Sequence, residues 1–232
     1  MTAEEIAAAN CALIWELYWG ATYSPAIKRR LLEPVFDGLE SEDKIGNLIV
    51  DVGSGASPVT RLLKAKPGRK WICVDIAADN ASSPDELRVR LDAGKVGEPG
   101  VLGLRKALIR ACLFLGMDPR TAVDREQADT IMFSDILNYV DFRKVLDGFA
   151  TYLKTGGRML VINLPMRGSR ALFSEKGLKN NNHLYTFLSE HHFEIEYKSF
   201  PKRPPGTADE SGELIVLVAR KCIPPGGRQP NE

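Results

Sequence analysis

The sequence predicts an α/β fold built on a mostly parallel sheet with helices on both faces. Between residues 46 and 190, short apolar segments of strand length alternate with segments whose apolar residues recur at helical spacing. This alternation is typical of a parallel sheet. Two strand-like segments then follow one another with no helix between them, from Phe193 to Phe200 and from Glu213 to Ala219. They are expected to pair as a hairpin or to lie side by side antiparallel.

The remaining elements follow from the same two periodicities. The other predicted strands are Leu48–Asp51, Trp71–Asp75, Leu87–Leu91, Thr130–Phe133 and Met159–Ile162. The predicted helices are 4–19, 25–39, one starting near Pro58, 101–115, 142–153 and 182–190. In the helix from 142, Val145, Leu146, Phe149 and Leu153 share one face, and Gly156-Gly157 is expected to end it.

Composition indicates an ordinary globular protein without a bulk electrostatic partner. The formal net charge is +1, with 44% hydrophobic and 26% charged residues, which disfavours nucleic acid as a partner. The four cysteines show no metal-binding or disulfide spacing, the acidic start does not resemble a secretory signal, and no apolar run reaches the length of a membrane span. We therefore expect a cytoplasmic protein with no membrane contact. Short basic runs, such as the one containing Arg69 and Lys70, are interpreted as solvated loops and helix ends.

The segment LIVDVGSG, residues 48–55, is the most informative stretch. It places Asp51 at the end of an apolar strand, immediately before a loop that contains Gly53 and Gly55. Ligands of open parallel sheets bind at the carboxyl ends of the strands, where glycines let them approach the backbone. A carboxylate there would repel a pyrophosphate, at a cost of about 1 kcal/mol or more at contact distance, which argues against a nicotinamide dehydrogenase. Asp51 instead favours a ligand with positive charge and no phosphate, such as S-adenosylmethionine.

With these features the sequence resembles the class I S-adenosylmethionine-dependent methyltransferases over about residues 46 to 220. The resemblance rests on Asp51-Val52-Gly53-Ser54-Gly55, on Asp75 24 residues after Asp51, on Asp92, on Ser134-Asp135, on Gly156-Gly157 and on the final strand pair. It implies a Rossmann-like sheet of seven strands with the last strand antiparallel. The family's third glycine is replaced here by Ser57.

The resemblance also implies a division of the chain. Residues 1–45 would form an N-terminal helical cap, residues 46–220 the cofactor-binding methyltransferase domain, and residues 221–232 a flexible tail. In small-molecule members such a cap shapes the acceptor pocket, and four aromatic residues, Trp15, Tyr18, Trp19 and Tyr23, would suit a lid over a flat or cationic ligand. Alternatively, these rings only pack a helix.

Roles follow from the resemblance position by position. Asp51 would face the methionine ammonium, Asp75 would accept from both ribose hydroxyls, and Asp92 would accept from the adenine amino group. The implied cofactor-binding residues are Asp51, Gly53, Ser54, Gly55, Asp75, Ile76, Asp92, Ala93, Ser134 and Asp135. A structural alternative stays open for each of the four acids, because each could instead cap a turn or a helix that starts there.

The methyl acceptor is expected to be an oxygen or nitrogen atom of a small molecule. After the fourth strand the chain reads SDILNYV, which is not the sequence of amide or adenine N-methyltransferases. The catalytic candidates are His183, Tyr23 and Tyr139. No metal is expected: Asp135 and Asn163 both end strands, but Ile162 stands where the catechol-type enzymes have a second acid. The alternatives are an RNA or protein acceptor, and a non-catalytic subunit that keeps the cofactor site.

Overall fold

The structure is a computed structural model that describes residues 25–55, 67–76, 85–96, 113, 128–163, 174–201 and 214–223 of the 232-residue chain. The helices predicted at 4–19 and after Pro58 lie outside the described residues, as does the one at 101–115 apart from Leu113. So do the four aromatic residues of the predicted cap, Ser57 and most of the predicted tail.

The described part of the chain is organised around one mixed sheet of seven strands. They are β1 (Leu48–Val52), β2 (Lys70–Asp75), β3 (Glu86–Arg90), β4 (Ala128–Ser134), β5 (Leu153–Asn163), β6 (Phe193–Ser199) and β7 (Ile215–Lys221). Their order in the sheet is β3-β2-β1-β4-β5-β7-β6, and β7 is antiparallel to both of its neighbours while the others are parallel. The predicted fold class, with its antiparallel last strand, is confirmed.

Helices cover both faces of this sheet. The described helices are α1 (Pro25–Ser41), α2 (Phe142–Ala150) and α3 (Asn181–Glu190), with a short 3-10 turn at Ala93–Lys95. Within these ranges no helix is both long enough and apolar enough to cross a membrane.

The burial of β1 shows that both faces of the sheet are covered by packed side chains. All five of its residues are buried, which is typical of a parallel strand covered on both sides. Ile49 lies in a core cluster with Phe36 of α1, and Val50 lies in the opposite cluster with Phe149 of α2. The helix Pro25–Ser41, predicted as part of the cap, thus packs directly on the sheet.

The prediction for the end of α2 was wrong. The helix ends at Ala150, and Leu153 is already the first residue of β5, paired with Ala128. Gly156, with φ of 77°, and Gly157 lie inside β5, where the register shifts against β4. The spacing of Leu153 from the other apolar residues fits a helix, but the residue pairs with β4 and so belongs to the sheet. The two glycines permit an irregularity in the strand instead of ending a helix.

The interpretation of Arg69 as a solvated residue was also wrong. Its side chain is 1% exposed and donates to both carboxylate oxygens of Glu40, at 2.5 and 3.2 Å, and to the carbonyl of Ile45 at 3.2 Å. A buried guanidinium needs such compensation, because an unpaired charge in the interior is costly. This ion pair ties the end of α1 to the start of β2.

At the amino-terminal edge of the sheet, Asp129 organises the entry into β1. Its Oδ2 accepts from the backbone N–H groups of Asn47 and Leu48 at 2.9 and 2.8 Å, and its Oδ1 pairs with Lys154. Burial alone would raise the pKa of Asp129, but the hydrogen bonds from Lys154 and from the backbone, with the charge of Lys154, outweigh it and hold the pKa below its ordinary value.

This arrangement predicts that the stability contributed by Asp129 depends on pH. Because the folded-state pKa is lowered, the contribution is present at neutral pH and is lost as the pH falls below about 4. Asp129→Asn should lower the free energy of unfolding by about 1 kcal/mol near neutral pH. Urea unfolding of both proteins across this range should show the difference narrowing in acid, and a difference that is independent of pH would contradict the assignment.

A second prediction concerns Gly46, which packs against Asp129. A Cβ built on Gly46 would lie 2.2 Å from the Cβ of Asp129, whereas a Cβ on Gly38 in α1 meets no described atom within 4 Å. Gly46→Ala should therefore cost about 1–3 kcal/mol through overpacking. Gly38→Ala, the matched control, should be neutral or stabilise by about 0.5–1 kcal/mol through helix propensity. Thermal melting of both variants measures this, and equal effects would refute the packing argument.

Candidate ligand site at the carboxyl edge of the sheet

Parallel pairing gathers the predicted residues at one edge. Asp51 lies beside Cys73 of β2 and Met132 of β4. Asp75, Ser134 and Asn163 are the last residues of β2, β4 and β5. Because β2, β1, β4 and β5 are consecutive parallel strands in the sheet, their carboxyl ends form one continuous row.

The pleat also sets which face each side chain takes. Side chains two residues apart on a strand share a face, so Asp51 takes the face of Ile49, and Ser134 that of Met132. Ile49 and Met132 both pack in the cluster that contains α1, and Trp71, two pleats before Asp75, packs against the same cluster. Asp51, Asp75 and Ser134 therefore belong to one edge and one face.

The glycine loop after β1 is bonded to the end of β2. The N–H groups of Gly53 and Ser54 donate to the carbonyl of Val74 at 2.8 and 3.3 Å, and the N–H of Gly55 donates to Oδ2 of Asp75 at 2.9 Å. One oxygen of the carboxylate predicted to hold a ribose thus already positions the loop. Asp75 links the two parts of the site.

The two glycines of this loop are required for different reasons. Both have positive φ, 77° at Gly53 and 63° at Gly55, a region that disfavours other residues. A Cβ on Gly53 would lie 2.7 Å from the Cβ of Ile136, in the segment after β4, whereas a Cβ on Gly55 would meet no described atom within 4 Å. Gly53 is thus needed for packing, whereas no described atom occupies the position next to Gly55.

The segment after β4 turns back over this loop. The N–H of Asp135 donates to the carbonyl of Ile162 at 2.8 Å, which extends the pairing with β5, and Asp135 has φ of 54°. Ser134 and Asp135 are both buried. The left-handed conformation of Asp135 directs the following residue, Ile136, against Gly53, so the ends of β4 and β1 are packed together.

Asp92 and Ala93 have structural contacts after β3. Oδ1 of Asp92 accepts from the N–H of Gly94 at 2.9 Å and caps the turn Ala93–Lys95. Ala93 is buried in the core cluster that includes Val96. The capping alternative is thus realised for Asp92, and its contact with adenine stays a prediction. Ile76 lies at the end of β2, where its carbonyl accepts from Arg90 at 3.1 Å.

The amide of Asn163 belongs to this edge, although sequence reasoning considered it only as a metal ligand. Asn163 is 0% exposed, and its Nδ2 donates to Oδ1 of the buried Asn138 at 3.1 Å. The carbonyl of Asn138 accepts from the N–H of Ser174 at 3.1 Å. The signal that could have identified Asn163 is a polar residue directly after the four apolar residues of β5.

Three neighbouring strands end in, or are followed by, a buried oxygen that has no hydrogen-bond partner among the described residues. They are Oγ of Ser54 after β1, Oγ of Ser134 on β4 and Oδ1 of Asn163 on β5. A buried polar atom left unsatisfied costs about 1–3 kcal/mol, and such atoms are rare in folded proteins. Their position in one row indicates an edge built to bind a polar ligand.

The contacts of the predicted catalytic residues do not indicate a catalytic role. His183 is exposed in the first turn of α3, where its N–H donates to Oδ1 of Asn180 at 3.1 Å and its Nε2 lies 3.3 Å from Nδ2 of Asn180. Tyr139 is half-buried and its N–H donates to the carbonyl of Ile136 at 3.0 Å. Tyr23 lies outside the described residues. Across the described ranges, no group of three or more His, Cys, Asp or Glu side chains could hold a metal ion.

Comparison with known proteins relates this chain to solved structures only. No protein-family model and no curated protein sequence matches it. It is similar to the 1,6-didemethyltoxoflavin-N1-methyltransferase of Burkholderia thailandensis, solved with 1,6-didemethyltoxoflavin and S-adenosylhomocysteine bound, at 14% identity and a TM-score of 0.56 over 96% of this chain and 92% of that one. It is also similar to the N-methyltransferase NodS of Bradyrhizobium japonicum, at 10% identity and a TM-score of 0.51 over 84% and 97% of the two chains.

A third similar structure is the [4+2]-cyclase SpnF, at 17% identity and a TM-score of 0.53 over 82% of this chain and 81% of that one. At such identities the likeness shows the fold. This chain has the fold of the class I S-adenosylmethionine-dependent methyltransferases.

The close packing at Gly53 gives a prediction for the site. Gly53→Ala adds both an unfavourable backbone conformation and a clash with Ile136, whereas Gly68→Ala adds only the conformation, because Gly68 has φ of 79° and its Cβ would meet no described atom within 4 Å. We expect Gly53→Ala to lose about 1–3 kcal/mol more than Gly68→Ala. Urea unfolding measures the difference in free energy of unfolding. Equal losses in the two variants would show that the segment after β4 accommodates the added methyl group without destabilising the protein.

Proposed function

We propose that this chain binds S-adenosylmethionine at the carboxyl edge of its sheet and transfers the methyl group to an oxygen or nitrogen atom of a small molecule. The observation that carries the proposal is the row of strand ends, with Asp51 and Asp75 on one face and unsatisfied buried oxygens at Ser54 and Ser134. The fold supports it, and the similar methyltransferase of Burkholderia thailandensis was solved with S-adenosylhomocysteine bound.

The residues present fit this cofactor. Asp75, at the end of β2, offers carboxylate oxygens to ribose hydroxyls, and Asp51, on the neighbouring strand, offers a negative charge to an ammonium. The N–H of Gly55 donates to Asp75, and a Cβ built on Gly55 would meet no described atom within 4 Å. The hydroxyls of Ser54 and Ser134 can each donate or accept, so a bound polar ligand can satisfy both.

When bound, the cofactor supplies an electrophilic methyl group, so the protein's contribution is largely alignment. The bonds from Gly53, Ser54 and Gly55 to the end of β2 fix the loop before a ligand arrives. Burial of Ser134 and Asp135 keeps water from the end of β4. No proton transfer is assigned to His183 or Tyr139, which stay candidate bases.

Several observations favour a small, metal-independent acceptor reaction. Two of the similar structures are named as N-methyltransferases, and one of these was solved with its small-molecule ligand. The net charge of +1 gives no attraction for RNA. Metal independence is proposed because Ile162, an apolar residue, precedes Asn163 where a second acid would be needed. Within the described ranges Cys73 and Cys222 are not joined in a disulfide, which suits the proposed cytoplasmic location.

One comparison favours a second candidate, a protein of the same fold that does not methylate. The cyclase SpnF shares the fold, so an intact cofactor site does not by itself establish methyl transfer. Incubation with S-adenosylmethionine and a panel of amines, phenols and heterocycles separates the two. A mass gain of one methyl group on a panel member supports transfer, whereas cofactor binding with no product from any panel member favours the second candidate.

Cofactor binding is tested by calorimetry with S-adenosylhomocysteine. Asp75→Ala should weaken binding by about 1–3 kcal/mol, the range for a lost hydrogen bond to a charged group. Asp75→Asn keeps an oxygen for the N–H of Gly55 and should show a smaller loss. The matched control is Asp85→Ala. Asp85 is an exposed acid that pairs with Lys70 and lies just before β3, at the amino-terminal edge of the sheet.

Two results would overturn the assignment. Absence of binding to the wild-type protein at millimolar S-adenosylhomocysteine would end the proposed function. Equal affinities of Asp75→Ala and Asp85→Ala would leave the function but remove Asp75 from the site.

A further inference from the structure

We infer that Asn163 binds the methyl acceptor, and that its Oδ1 accepts a hydrogen bond from an N–H or O–H group of that molecule. The inference rests on the proposed function, because it assigns the part of the same edge that the cofactor leaves unfilled. It also narrows the acceptor to molecules that present a hydrogen-bond donor near the atom that is methylated.

The first step is the position of Asn163 along the edge. The strands run in the order β2, β1, β4, β5, about 4.8 Å apart, so the strand ends at Asp75, Asp51, Ser134 and Asn163 follow one another in that direction. Asn163 shares its face with Val161 and Met159, in the cluster opposite to the one that contains Met132, so its side chain reaches the edge from the other face of the sheet. A nucleoside–amino acid conjugate with its sugar on Asp75 and its ammonium near Asp51 extends toward β4. Asn163, one strand beyond, then lies on the side where the acceptor must approach.

The second step is the chemistry of the amide. Nδ2 of Asn163 donates one of its two hydrogens to Oδ1 of Asn138 at 3.1 Å, which orients the amide and leaves Oδ1 as its acceptor. Oδ1 is buried and has no hydrogen-bond partner in the part of the chain that the structure describes, and a carbonyl oxygen can only accept. Asn163 therefore has an unmet requirement for a donor.

The third step is the rigidity of the surroundings. The N–H of Leu178 donates to the carbonyl of Leu137 at 2.8 Å, and that of Ser174 donates to the carbonyl of Asn138 at 3.1 Å. A Cβ on Gly177 would lie 2.2 Å from the carbonyl oxygen of Asn138. The segment 174–178 thus holds the backbone of Leu137 and Asn138, which favours a fixed orientation of the Asn163 amide.

The test uses matched pairs of probes in the presence of saturating S-adenosylhomocysteine. Each pair has a donor-bearing molecule and its methylated form, phenol with anisole and indole with N-methylindole. We expect the wild-type protein to bind the donor-bearing member of at least one pair about tenfold more tightly, as measured by ligand-observed NMR titration. Asn163→Leu, which is similar in shape and apolar, should abolish this preference.

A conservative variant separates recognition from folding. Asn163→Asp keeps an oxygen acceptor, and the Asn138 amide can rotate to donate to it, so this variant should retain the preference. The affinity for S-adenosylhomocysteine should stay within about twofold of wild type in both variants, because Asn163 does not contact the cofactor in this arrangement. Retained cofactor affinity also shows that each variant is folded.

The outcomes are distinct. The inference is overturned if wild type binds both members of each pair equally, if it binds none of them, or if Asn163→Leu keeps the preference. A crystal structure in which one trapped water satisfies Oδ1 in every probe complex would overturn it as well. Failure of wild type to bind S-adenosylhomocysteine is a different result, which removes the proposed function itself.

Discussion

The parallel alignment of β2, β1, β4 and β5 is the constraint on which the rest of the structure depends. Parallel pairing fixes the direction of every strand, so each carboxyl end reaches the same edge. Residues far apart in sequence, from Asp51 to Asn163, are thereby placed along one edge of the sheet. The pleat then selects a face, and for Asp51, Asp75 and Ser134 it is the same one.

The two edges of this sheet treat polar groups in opposite ways. At the amino-terminal edge, Asp129 has both oxygens engaged, by Lys154 and by the backbone of β1, and its role there is structural. At the carboxyl edge, the buried oxygens of Ser54, Ser134 and Asn163 have no hydrogen-bond partner within the described ranges. Since each such atom destabilises the fold by about 1–3 kcal/mol, the carboxyl edge is where stability is sacrificed, which is typical of a binding site.

Sequence reasoning predicted much of the fold and part of the site. Strand positions followed from apolar segments, and the acids at strand ends followed because Asp51 and Asp75 interrupt those segments. The end of α2 was misplaced because Leu153 satisfies helical spacing equally well, and only the pairing with Ala128 decides its state. Arg69 was misjudged because a charged residue in a basic run gives no local sign of its partner, Glu40, 29 residues away.

The role of Asn163 was missed for a related reason. Its significance depends on an unsatisfied oxygen, and hydrogen-bond satisfaction is a property of the assembled structure. A sequence shows that a polar residue follows an apolar strand, but the bond to Asn138, 25 residues away, is what leaves Oδ1 without a partner.

The different contacts at the ends of the strands also bear on how one fold supports different reactions. Both N-methyltransferases and a [4+2]-cyclase share this architecture, so the reaction is not set by the sheet. In this chain the ends of β2, β1 and β4 are joined by backbone hydrogen bonds and by the contact of Gly53 with Ile136, which restrict change there. The end of β5 is joined to β4 by backbone pairing as well, and the side-chain amides of Asn163 and Asn138 add a second link to the segment after β4. Substitution at Asn163 or Asn138 can therefore alter which molecule is bound while the glycine loop keeps its geometry, and reaction specificity is expected to reside at β5.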